Sequence, residues 1–71
     1  MAARNKKIKW TNKFSGECGF VKTLVKSAGH FENTFDFGEA KLYSDAEATR
    51  AMKTLSEIGE TENNVFEVVF A

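Results

Sequence analysis

Proline is absent from the sequence, and cysteine and histidine occur once each, as Cys18 and His30. A lone thiol cannot close an internal disulfide, and with one imidazole it cannot complete a zinc site of three or four protein ligands. A single unpaired thiol fits a reducing compartment, so the cytoplasm is the expected location. The five glycines are scattered and spell neither GxGxxG nor GxxxxGK[ST], the loops that cradle phosphates. No apolar run approaches the roughly 18–20 residues of a membrane span. Residues 1–7 are basic with no apolar stretch behind them, so no secretion signal and no membrane contact are expected. No cofactor is implied.

Catalysis finds little to work with. Nucleophilic chemistry needs a nucleophile, a base and a group to orient the base; Cys18 and His30 could supply two members, but no third is evident. Asp36 and Glu39 form a carboxylate pair in a charged loop, where nothing would desolvate them enough to raise a pKa. The expectation is a protein that is not an enzyme.

What the sequence does have is aromatic surface and pattern. Seven Phe, Trp10 and Tyr43 can each bury on the order of 150–250 Å², enough to give a chain near the lower size limit a core without staples. Without linker or repeat, residues 1–71 read as a single domain. Residues 7–14 alternate, with Ile8, Trp10 and Phe14 on one face and Lys7, Lys9, Thr11 and Lys13 on the other, which is a half-buried strand. Ser15-Gly16-Glu17 is a turn, and residues 19–26 a second strand, antiparallel to the first. Its inward set is ambiguous between Phe20 with Leu24 and Val21, Thr23 with Val25. After a turn at residues 27–29, residues 31–35 suit a third strand with Phe31 and Phe35 inward.

Ser44-Asp45-Ala46-Glu47 is a capping box. Ala48, Ala51, Met52, Leu55 and Ile58 then form one apolar stripe at helical spacing, stopped by Gly59. The helix is predicted over residues 45–58. A polar return leads to a last strand over residues 65–70, with Phe66, Val68 and Phe70 on one face and Val65, Glu67 and Val69 on the other. The fold class is therefore α+β: an antiparallel sheet of three to four strands with one amphipathic helix on one face, in the order βββαβ. The outward valines and open strand edges leave self-association possible.

Formal net charge is zero, but the signs are segregated along the chain. Residues 1–30 hold seven cations against Glu17 alone, and residues 31–71 hold three against nine carboxylates. Such asymmetry points to a charged partner, although the halves could equally neutralise each other on folding. Lys7, Lys9 and Lys13, with Lys22 and Lys26 across the hairpin, are the candidate basic platform for nucleic-acid phosphates. The aromatics of the same strand have the opposite parity, which argues against base stacking there. Glu57, Glu60, Glu62 and Glu67 are the candidate acidic surface, able to oppose a basic groove on a partner.

The stretch Ala40-Lys41-Leu42-Tyr43-Ser44-Asp45-Ala46-Glu47-Ala48, an Ala and an aromatic before a capping box, resembles a pattern in many small phage-borne proteins. Residues 8–17, Ile-Lys-Trp-Thr-Asn-Lys-Phe-Ser-Gly-Glu, add to the resemblance, as do size and strand-rich layout. Some small phage proteins of this build are anti-CRISPR or other anti-defence inhibitors. The resemblance covers about half the chain and carries no site residues. It implies a protein acting in the host cytoplasm by binding a bacterial protein or ribonucleoprotein complex. A small nucleic-acid-binding module is the alternative.

Overall fold

Alternation, capping and one bulge account for the architecture of the computed structural model, which describes residues 3–25, 27 and 29–71. Strand β1 spans Lys6–Asn12, β2 Cys18–Val25 and β3 His30–Thr34; helix α1 spans Asp45–Glu57 and strand β4 Asn64–Phe70. The strands form one antiparallel sheet in the order β3-β2-β1-β4, so β1 and β2 are central and β3 and β4 are edges. The expected α+β class and βββαβ order are those observed.

The core lies between α1 and one sheet face. Ile8, Val21 and Leu55 are fully buried, and Trp10, Tyr43, Ala48, Ala51 and Phe66 complete the cluster. Each large apolar side chain buried this way contributes about 1.5–3 kcal/mol. Helix α1 begins as its sequence requires: the Glu47 N–H donates to Ser44 Oγ at 3.2 Å, and the Ser44 N–H donates to Glu47 Oε1 at 3.0 Å. It ends at Gly59, whose φ of 84° is left-handed, where a Cβ would be strained. The sheet is curled so far that Phe31 on one edge and Phe66 on the other meet edge to face, 5.4 Å between ring centroids.

Three expectations are corrected. Strand β1 stops at Asn12, whose Oδ1 accepts the Phe14 and Ser15 N–H groups and opens a turn. Phe14 therefore leaves the inner face and stands in solvent. Phe35 lies one residue past β3 and is exposed, its ring against the edge of Trp10 at 5.7 Å. In β2 neither candidate parity holds along the whole strand, because the register shifts between Val21 and Thr23. The bulge turns both Val21 and Leu24 towards the core. The turn expected at residues 27–29 includes Ala28, which lies outside the described residues.

The link from β3 to α1 passes through the sheet. Phe37, in a short 3-10 turn at Phe37–Glu39, rests on the outer face with its ring edge-to-face on Phe20 at 4.9 Å. Further on, the Lys41 N–H donates to the Val21 carbonyl at 3.3 Å, and Tyr43 exchanges two backbone bonds with Lys6, at 2.7 and 2.9 Å. The segment thus fills the fork where β2 diverges from β1. The next residues cap a helix that packs on the inner face. Tyr43 is buried there, its hydroxyl has no hydrogen-bond partner among the described residues, and burial together with the Glu47 carboxylate pushes its phenol above the usual range.

Candidate interaction surface

The two charge pools of the sequence do not remain separate fields. Arg4 Nε meets Glu47 Oε1 at 3.0 Å, and Lys6 Nζ meets Asp45 Oδ1 at 3.4 Å. Lys9 sits directly opposite Glu67 in the β1–β4 register. Lys13 Nζ donates to the Thr61 carbonyl at 2.6 Å, between Glu60 and Glu62. Cations of the first half are interleaved with carboxylates of the second, the neutralising alternative named above.

Among the described lysines of the candidate basic platform, Lys7 is withdrawn from solvent, whereas Lys13 and Lys22 are exposed. Lys7 is only 6% exposed: Phe37 lies over it, its ammonium is 4.0 Å from that ring's centroid, and it donates to the Phe37 carbonyl. A cation held on an aromatic face and one carbonyl is a satisfied structural group. Lys26 lies outside the described residues. Of the five lysines, Lys22 is exposed on the sheet and Lys9 half-buried beside Glu67. Three of the acidic candidates stay together at the end of α1, and the fourth lies on β4. Glu57 ends α1, Glu60 and Glu62 belong to the following 3-10 turn, and Glu67 is on β4.

Cys18 opens β2, whereas His30 pairs with Val25 at the strand's other end. Seven residues of strand, about 23 Å at ~3.3 Å each, separate them. Asp36 and Glu39 hold their own loop: Asp36 Oδ1 accepts from the Gly38 N–H at 2.8 Å, and Glu39 Oε2 accepts from Thr34 Oγ1 at 3.3 Å. Among the described residues no three His, Cys, Asp or Glu side chains are grouped to hold a metal ion. Among the same described residues no helix is long and apolar enough to cross a membrane.

The surface that stands out is the free edge of β4. The Lys13 N–H bonds to the Asn63 carbonyl at 2.9 Å and the Ala71 N–H to the Asn5 carbonyl at 2.8 Å, bracketing the ladder with β1. Bonding alternates along an antiparallel pair, so odd-numbered residues of β4 face β1. The N–H and C=O groups of Asn64, Phe66, Val68 and Phe70 therefore point away from the sheet, and no described residue bonds to them. Apolar side chains flank this row on both faces. Val65 is 54% exposed on the outer face; Val68 and Phe70 are 38% and 74% exposed on the inner one. Only the exposure of Val65 was readable in the sequence, as one of two outward valines; that Val68 and Phe70 would escape the core was not, because their parity matches Phe66.

A second feature is a groove of ≈ 380 Å³ where the inner sheet face runs past the end of α1. Trp10, Asn33, Phe35, Asn64, Glu17 and Glu60 are among its lining residues. Residues 10, 33 and 64 come from three strands, share the inner face by register and border one groove.

In comparisons with known proteins, no family model, no curated protein and no solved structure matches this chain.

Proposed function

We propose that this domain works by binding another protein, accepting an extended segment of that partner along the free edge of β4. The observation that carries the reading is the coincidence of four outward-facing backbone pairs with exposed Val65, Val68 and Phe70 on both sides of the same strand. Main-chain bonds from an added strand would supply affinity, and contacts with the flanking apolar side chains would supply selectivity. An edge left flat and apolar is a liability that folded proteins ordinarily blunt with charge, proline or a bulge. Here β4 has one charged residue, Glu67, no proline and an uninterrupted register.

The resemblance to phage-borne anti-defence proteins supplies the class of partner: a protein subunit of a bacterial defence complex, blocked by the docked domain. Interleaved charge argues for this over phosphate binding on the sheet. Val68→Pro tests the reading, because it deletes an outward N–H that β1 does not use. In bacteria whose defence system blocks phage plating, expression of the chain is expected to restore plaques and to yield a stoichiometric complex. Both should be lost with Val68→Pro. Absence of any complex, or one that Val68→Pro leaves intact, overturns the reading.

A further inference from the structure

We infer that a second copy of this chain covers the β4 edge in the free protein, antiparallel about a two-fold axis at Val68. The inference rests on the edge reading above and names what a bacterial partner must displace. Charge along the strands selects such an occupant. At the start of β4, Glu57, Glu60 and Glu62 outnumber Lys13. At its far end Arg4, Lys6, Lys7 and Lys41 stand against Asp45 and Glu47, and the Lys6 ammonium is 3.5 Å from the Phe70 ring centroid. Helix α1 runs the same way, so its dipole deepens both ends. A second copy turned antiparallel sets each acidic end beside the other's cationic end. The ion pairs of Arg4 and Lys6 within the chain remain, so this charge orients the copies and adds little affinity.

The register follows from the side chains. Even-numbered residues of β4 carry the outward backbone groups, so each must oppose an even-numbered residue of the other copy. Two-fold axes at Phe66, Glu67 and Val68 all satisfy this over most of the strand. An axis at Glu67 gives the longest overlap but sets two carboxylates directly opposite, where like charges repel, and puts Asn64 against Phe70. An axis at Phe66 puts Val68 against Asn64, and Phe70 against Glu62 in the 3-10 turn. With the axis at Val68, exposed Val68 meets Val68 of the second copy and exposed Phe70 meets its Phe66. Ile8 and Trp10 stand beside Val68 and Phe66 in β1, so apolar rows run unbroken from one core to the other. On the outer face Glu67 meets Val69, and no like charges stand directly opposite. An interface one strand of seven residues wide falls short of the ~800 Å² per side of a stable assembly. The pair is therefore weak enough for a partner's strand to replace it.

The test uses the purified chain alone. Sedimentation equilibrium over an about hundredfold range of concentration should show monomer and dimer in exchange. Val68→Lys keeps every backbone donor, sets two ammonium groups face to face, and should weaken the dimer about tenfold. Cross-linking reads the register in a Cys18→Ser background. Val68→Cys should give a disulfide-linked dimer under mild oxidation, because directly opposed residues stand about 5.5 Å apart, within disulfide reach. Glu67→Cys, offset by two residues, should react about tenfold more slowly. A chain that stays monomeric up to about 1 mM, a dimer that Val68→Lys leaves intact, or faster cross-linking at Glu67→Cys would overturn the inference. The two readings fail separately: a dimer in this register without any bacterial complex removes only the partner, and a bacterial complex formed by a strictly monomeric chain removes only the dimer.

Discussion

The two edges of the sheet are built to different rules. Strand β3 is five residues long, exposes His30, Glu32 and Asn33, and lies next to the bulge in β2. Strand β4 is seven residues long, follows β1 in unbroken register, and exposes Val65, Val68 and Phe70. Short length, charge and irregular pairing are the devices that keep an edge from recruiting another strand. They are present at β3 and nearly absent at β4. Of ten cations and ten carboxylates, β4 itself carries only Glu67, with the Lys6 ammonium 3.5 Å from its Phe70 ring centroid, and that contrast is why we propose binding at β4.

The strongest way to break the contrast is to move a proline by one residue. Val69→Pro removes an N–H that β1 needs, and at a stability of only several kcal/mol the domain should be largely unfolded in thermal melts. Val68→Pro should stay folded, at a cost of about 1 kcal/mol, because its N–H faces away from the ladder. Melting curves that fail to separate the two variants would show that the bonding phase of β4 is misassigned.

Gly19→Ala attacks the other side. An added Cβ would sit 2.7 Å from the Thr34 carbonyl oxygen and 2.8 Å from Trp10 Cζ2. Strand β3 would have to move or the indole leave its place, at about 1–3 kcal/mol. Hydrogen exchange should quicken in β3 before β4; the reverse order would contradict the packing described.

The smallest effect concerns how the far end of β4 is held. Arg4 bonds Glu47 beside Asn5, whose carbonyl takes the Ala71 N–H. The Ser44 backbone N–H and the Arg4 guanidinium lower the Glu47 carboxyl from 4.5 to about 2. Its stabilising contribution is complete above the unfolded value and is lost as pH falls from about 4.5 through about 2. Glu47→Gln should flatten the stability profile across that window. A profile unchanged by the substitution would mean that Glu47 is not held in this way.

Local signals were legible in the sequence and relational ones were not. The capping box at Ser44, the apolar stripe of α1 and the stop at Gly59 each depend on residues within a few positions, and each appears where expected. The last strand was legible for the same reason. The inward set of β2 was not, since one bulge at Val21–Thr23 switches the parity that a period of two assumes. The charge halves left two outcomes open, because distance along the chain says nothing of which carboxylate a lysine will face after β4 returns beside β1. Lys7 is the sharpest case: its burial depends on Phe37, thirty positions away, coming to lie over it. The β4 edge was partly foreshadowed by Val65 and Val69, whereas the groove required the register of three strands and could not be read from any one of them.

The passage of the chain through the fork between β1 and β2 acts as a ruler. Residues 37–39 must climb over the outer face, and Lys41 and Tyr43 must reach fixed rungs on both strands before α1 can start. Lengthening that loop only adds solvated chain, at a cost that grows with the logarithm of its length. Shortening it by one residue withdraws about 3.3 Å of reach and would pull either Phe37 off Lys7 or Tyr43 out of its rung. Natural or engineered variants of this domain should therefore tolerate insertions there and resist deletions.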